Sequence, residues 1–156
     1  MLLKTLSVAS LCSLFVLIFI GGYVSASGVG LTCPHWPLCP AGLVPTNEFI
    51  IEYFHRSVAA TTALLVIVTM AFTLRSKLSP RGMKMSSMIA SGAAIGQISL
   101  GAAVIVERLH ATLVTTHLGL GLVMFSMTLI TTMYAYKLPP GDTKKKDTVA
   151  GAKIDL

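Results

Sequence analysis

The chain has 156 residues, 54% of them apolar and only 12% charged, with a mean hydropathy of +0.79. Soluble domains carry about 25% charged residues, so the composition excludes an ordinary water-soluble domain and points to lipid as the solvent. The net charge of +6 is no signal for nucleic acid: Lys144, Lys145 and Lys146 sit in a Pro/Gly-led tail, and most other basic residues flank apolar runs, as membrane topology requires.

Four apolar runs follow one another at 6–24, 49–74, 85–106 and 109–136. A helix crosses a bilayer core with about 20 residues, so each run is long enough. The chain therefore reads as all-α: one domain over 1–137, an integral-membrane four-helix transmembrane bundle. The tail 138–156 is rich in Lys, Asp, Gly and Thr and reads as disordered.

The first run, with Lys4 ahead of it and Ser25-Ala26-Ser27 behind it, imitates a signal peptide. It exceeds the usual signal core of about 7–15 residues, so it is expected to stay as a transmembrane helix. The next segment, 25–48, contains no Lys or Arg, whereas the connection between runs two and three holds Arg75, Lys77, Arg81 and Lys84. The C-terminal segment adds Lys137, Lys144, Lys145, Lys146 and Lys153. The positive-inside rule then places both termini and the middle connection in the cytoplasm. The 25–48 loop and the Glu107-Arg108 turn fall on the outer side of the cell membrane.

Cys33 and Cys39 lie in that outer loop, where disulfides persist. Pro34 and Pro37 bend the chain between them, so the two can meet, and closing so short a loop would stabilise by about 2 kcal/mol on the chain-entropy model. A structural staple and a redox-active pair both fit this pattern. Zinc held by Cys33, His35 and Cys39 lacks a convincing fourth ligand. Cys12, inside the first run, reads as a small apolar residue.

Run two opens with Glu52-Tyr53-Phe54-His55-Arg56. Glu52 and His55 are i and i+3 and share a helix face, while Glu52 and Arg56 are i and i+4 and can pair. A carboxylate costs about 2.5–3.5 kcal/mol at mid-membrane and less near the interface. An interfacial Glu52–Arg56 ion pair with His55 beside it is the plainest account of the cluster. Run four, however, carries His117, and both runs enter from the outer side. At about 1.5 Å per residue, His55 and His117 both lie roughly 10 Å below the outer ends of their helices. Two imidazoles at equal depth on two helices of a bundle are what axial ligation of a haem iron requires.

Run three adds Gly92, Gly96 and Gly101, which thin one helix surface. A flat macrocycle needs such a surface, and so does ordinary small-residue helix packing. Gln97 is a candidate polar contact at the deeper edge of the haem. His110 lies seven residues before His117, so it can touch a haem edge or sit at the interface, and the interface is the preferred reading.

These motifs together resemble the haem A synthase family. Gly21-Gly22-Tyr23-Val24, Gly28-x-Gly30 and Cys33-x-x-Trp36-Pro37-Leu38-Cys39 are similar to the family's first outer loop, and Glu52-x-x-His55-Arg56 to its helix-2 signature. Gln97-x-x-x-Gly101-Ala102 resembles its helix 3, and Leu113-Val114-x-x-His117-Leu118 its helix 4. The resemblance runs in order to about Tyr136. It implies oxidation of the C8 methyl of haem O, via a hydroxymethyl intermediate, to the formyl group of haem A for cytochrome oxidase. By the same resemblance His55 and His117 are the axial ligands, Glu52 is the carboxylate beside the reacting methyl, and Cys33–Cys39 is the outer disulfide. Arg56, Gln97, Gly101 and His110 are the further candidate haem-binding residues, with the role of His110 left open between haem edge and interface. A typical member has eight helices and holds a haem b in a second half, but this chain shows four and no second Glu-x-x-His. Either two copies associate, at least as a dimer, or electrons arrive by another route. Haem O synthase and oxidase assembly proteins are the partners the resemblance suggests.

Three other readings compete. A bis-histidine b-type cytochrome needs the histidines but not Glu52. A quinone-linked thiol oxidoreductase wants a tight Cys-x-x-Cys and a second relay pair. A haem-free scaffold would use the polar residues only for packing.

Overall fold

Each apolar run becomes one helix in the computed structural model, which describes residues 1–32 and 49–139. Helix α1 spans Leu2–Ser27, α2 Ile50–Arg75, α3 Arg81–Val106 and α4 Ala111–Lys137. No strand occurs among the described residues. All four helices are long and apolar enough to cross a membrane, and the chain is a multi-pass membrane protein. The Cys33–Cys39 loop and the tail from Pro140 lie outside the described residues.

Helix ends follow backbone chemistry more than apolarity. Helix α1 continues past its apolar run until Gly28, which takes the left-handed conformation (φ 73°) open to glycine at a helix C-terminus. A short 3-10 turn, Val29–Leu31, follows. Pro80 stands directly ahead of α3 with an extended backbone, which starts that helix at Arg81. Helix α4 begins at Ala111 because Arg108 and Leu109 both adopt positive φ, 50° and 61°, in the tight turn from α3.

Hydroxyl pairs give the register. Ser10 bonds Thr69 at 3.0 Å and Ser13 bonds Thr62 at 2.7 Å, so α1 and α2 run antiparallel. Ser86 with Thr131 at 2.8 Å does the same for α3 and α4, and Thr132 donating to the Ser7 carbonyl at 3.2 Å ties α4 back to α1. The helices thus form a closed ring, α1–α2–α3–α4–α1, with α2 and α4 across a diagonal. Lys4, Arg75, Lys77, Arg81, Lys84 and Lys137 all fall at one end of this up-down bundle, the basic end.

The basic half is tightly packed. Leu14, Ala63, Val66, Ala90, Ala93, Ala94 and Met124 form its apolar cluster, and buried Ser and Thr surround it. Small side chains let the backbones approach, and hydroxyls satisfied across helices hold them there, which is how helices associate when lipid removes the hydrophobic incentive. Phe15, Phe19, Leu64, Ile95 and Met133 point outward, as lipid-facing residues do.

Candidate functional site

The opposite end is built differently. Segments 15–23 of α1, 53–61 of α2, 95–106 of α3 and 111–120 of α4 contain no buried residue. The residues of this belt are all partly or fully exposed, and the site residues cluster at its depth. His55 is five residues beyond Ile50, the first residue of α2, and His117 six beyond Ala111, the first of α4. Both lie about 8–9 Å along their helices at 1.5 Å per residue. The two imidazoles are close enough to interact electrostatically, and Arg56 lies within the same range of His55.

Each imidazole packs against a glycine of a neighbouring helix. A methyl group at Gly21 of α1 would stand 3.1 Å from His55 Cε1, and one at Gly101 of α3 would stand 3.5 Å from His117 Cε1. The hairpins α1–α2 and α3–α4 thus repeat one device, a histidine early in the second helix lying over a glycine late in the first. The Nδ1 atom of each ring is buried with no hydrogen-bond partner. Buried polar atoms normally find a partner, and among the described residues neither Nδ1 does. Neutral imidazole is a standard iron ligand. The glycine cradles and the two imidazoles at matching depth fit a haem held between α2 and α4.

Glu52 sits one turn nearer the end of α2 than His55 and is only 3% exposed. Its Oε1 accepts from Arg56 Nη2 at 2.5 Å, and its Oε2 accepts from the Thr32 hydroxyl at 3.1 Å. The ion pair expected from the i, i+4 spacing is present. Thr32 was not legible in the sequence. It reaches Glu52 because the 3-10 turn after Gly28 folds back over the bundle end, with Gly30 packed on Val24 and Leu109.

Gln97 points to α4, where its Nε2 donates to the backbone carbonyl of His117 at 2.8 Å while its Oε1 is buried without a partner. His110 occupies the N-cap position of α4, exposed and outside the helix at the histidine end of the bundle. Cys33, His35 and Cys39 lie outside the described residues. Among the described residues no group of three His, Cys, Asp or Glu side chains could hold a metal ion alone, and Cys12 is an exposed free thiol. The sequence also gave no role to Gly121. It lies four residues after His117, and that spacing was the available signal.

The family model for COX15-CtaA, described as cytochrome oxidase assembly protein, matches residues 45–154. The matched span takes in Glu52, His55, Gln97, Gly101 and His117. Among curated proteins, the chain is 32% identical over 142 residues to the haem A synthase of Bacillus licheniformis, covering 89% of this chain and 46% of that protein. It is 30% identical over 125 residues to the haem A synthase of Exiguobacterium sibiricum, covering 78% and 42% respectively. The haem A synthase of Lysinibacillus sphaericus is 27% identical over 140 residues, at 87% and 46% coverage. The chain spans about half the length of the curated relatives it matches. With the site motifs, the four-helix order and the family model in agreement, this chain belongs to the COX15-CtaA family of cytochrome oxidase assembly proteins.

Proposed function

We propose that the chain acts as a haem A synthase, an oxidoreductase that converts the C8 methyl of haem O to a formyl group through a hydroxymethyl intermediate, with water supplying the oxygen and the electrons leaving to an acceptor outside the chain. The observation that carries this reading is the belt at the histidine end, where two glycine-backed imidazoles, each Nδ1 without a partner among the described residues, lie beside a buried carboxylate. The curated relatives' names support the same chemistry.

His55 and His117 would bind the iron of the substrate haem from α2 and α4, with Gly21 and Gly101 leaving the space their rings need. The macrocycle supplies the redox chemistry when bound. Glu52 would lie at the haem rim, one turn from His55. There its negative charge favours positive charge developing at the methyl carbon, and its oxygen accepts a proton from the water that adds. Arg56 and Thr32 hold that carboxylate in place.

The clustering of Lys and Arg at one end supports a cytoplasmic basic end in the cell membrane, with the histidine end and a Cys33–Cys39 disulfide outside. Two copies would associate into an eight-helix assembly, closed symmetry being the common form of homo-oligomers, and such an assembly would have room for a haem b. Haem O synthase and oxidase assembly proteins are the partners this activity would meet.

The Glu52–Arg56 pair favours one other reading, a bis-histidine b-type cytochrome in which Glu52 is only half of an ion pair. Pigment extraction and chromatography after expression in cells that make haem O decides between them. Haem A and its hydroxylated precursor support the synthase, and haem O left unconverted in haem-loaded protein refutes it.

A further inference from the structure

Helix α3 touches His117 at two points. Gly101 backs its imidazole, and one turn earlier on the same face Gln97 donates its Nε2 to the His117 carbonyl at 2.8 Å. That carbonyl is also the helix-ladder acceptor for the N–H of residue 121, so it receives a second donor from outside its own helix. The amide can be oriented only one way, because the other would set two acceptors face to face.

Gly121 is what admits the amide. A methyl group at 121 would stand 2.8 Å from Gln97 Nε2, so the amide, the far end of a flexible side chain, would have to shift from its present place. Every larger residue closes the gap between α3 and the His117 carbonyl. The amide's other end, Oε1, is buried without a partner, so Gln97 is a costly choice for packing alone. Among the described residues no side chain makes a comparable bond to the backbone of His55. The two histidines are held differently: His117 by ring and backbone, His55 by ring packing.

We propose that Gln97 is a positioning residue for His117, admitted by Gly121, and that it fixes the depth and rotation at which the imidazole meets the haem iron. The inference rests on His117 being an iron ligand and goes beyond a contact between Gln97 and haem. Gln97 acts through the α4 backbone.

The test uses the full-length purified protein loaded with haem, reading haem retention, the low-spin fraction by electron paramagnetic resonance, and the reduction midpoint. Gln97→Met conserves volume and removes the donor. Gly121→Ala removes nothing from the site and raises helix propensity, yet it displaces the amide. Each should weaken haem retention by about 10–100-fold, the range for groups that orient metal ligands, and turn part of the low-spin signal high-spin. In a Gln97→Ala background there is no amide to displace, so adding Gly121→Ala should cost nothing more. Wild-type retention and spectrum in Gln97→Met, or an undiminished Gly121→Ala loss in the Gln97→Ala background, overturns the proposal while leaving the ligands standing. If Gly121→Ala does not assemble, Gln97→Met carries the test. An unchanged spectrum in His117→Ala is a different result: it removes the ligand assignment and this inference with it.

Discussion

Replacing Glu52 by Gln separates catalysis from architecture at one position. The carboxylate is buried, and its hydrogen bonds include those from Arg56 at 2.5 Å and from Thr32 at 3.1 Å. Gln keeps the size and one accepting oxygen but loses the charge. Hydrogen bonds to charged groups contribute about 1.5–3 kcal/mol and neutral ones about 0.5–1.5 kcal/mol, so anchoring weakens by about 1–2 kcal/mol. The lower figure is the better guide, because the Arg56 side chain is 15% exposed near the end of the bundle and solvent screens the pair. A positioned acid–base group contributes about 10²–10⁴-fold to rate, which is about 2.7–5.4 kcal/mol at 1.36 kcal/mol per tenfold. The catalytic loss therefore exceeds the structural one. The assay is the ratio of haem O, hydroxylated haem and haem A extracted from membranes, normalised to haem bound. Bound haem should stay near wild type while conversion stalls before or at the hydroxylated product. Full haem A production by Glu52→Gln would remove Glu52 from the mechanism. Conversion falling only in step with bound haem would leave a structural ion pair.

Four further outcomes follow from the same structure. His55→Ala and His117→Ala should each sharply lower haem occupancy or convert the low-spin spectrum, and two unaffected variants would end the ligand assignment. Gly21→Ala, whose new methyl meets His55 at 3.1 Å, should disturb the haem spectrum more than Gly101→Ala, where the contact is an ordinary 3.5 Å; the reverse order would contradict the cradle geometry. Thr69→Val loses the bond to Ser10 and should cost about 0.6 kcal/mol, at most about 1.7, in thermal unfolding with the spectrum unchanged. Cys33 and Cys39 should resist thiol labelling in denatured, unreduced protein, and free thiols at both positions in fresh membranes would rule the disulfide out.

The parts of this molecule that the sequence made legible are those a single helix determines. Apolar length marked four helices, and the spacing of Glu52, His55 and Arg56 placed them on one turn before any contact was known. Equal depth for His55 and His117 followed from counting along two helices that enter from the same side. What the sequence withheld depends on register between helices. Gln97 meets His117, and not a residue one turn away, because the α3–α4 turn is shortened by two left-handed residues, Arg108 and Leu109, and no propensity marks either for that conformation. Thr32 reaches Glu52 across a chain reversal that begins at Gly28. The glycine was readable as a helix stop, but where the chain went afterwards was not.

Buried polar groups along the bundle meet two fates. Toward the basic end, many hydroxyls are spent on each other or on helix carbonyls, as in the Ser10–Thr69, Ser86–Thr131 and Thr132–Ser7 contacts, while Thr73, Ser79 and Ser91 keep a buried hydroxyl oxygen with no partner among the described residues. A bilayer offers no water to satisfy what is left over, and a paired hydroxyl is inert. At the histidine end, both Nδ1 atoms and the Gln97 Oε1 are likewise buried without a partner among the described residues. Bringing polar groups into a membrane and leaving them unpaired is costly unless something else pairs with them. The leftover groups at the histidine end differ from the leftover hydroxyls in kind: imidazole and amide can bind or orient a cofactor, which is why the proposed chemistry is placed at the depth of Glu52, His55 and His117.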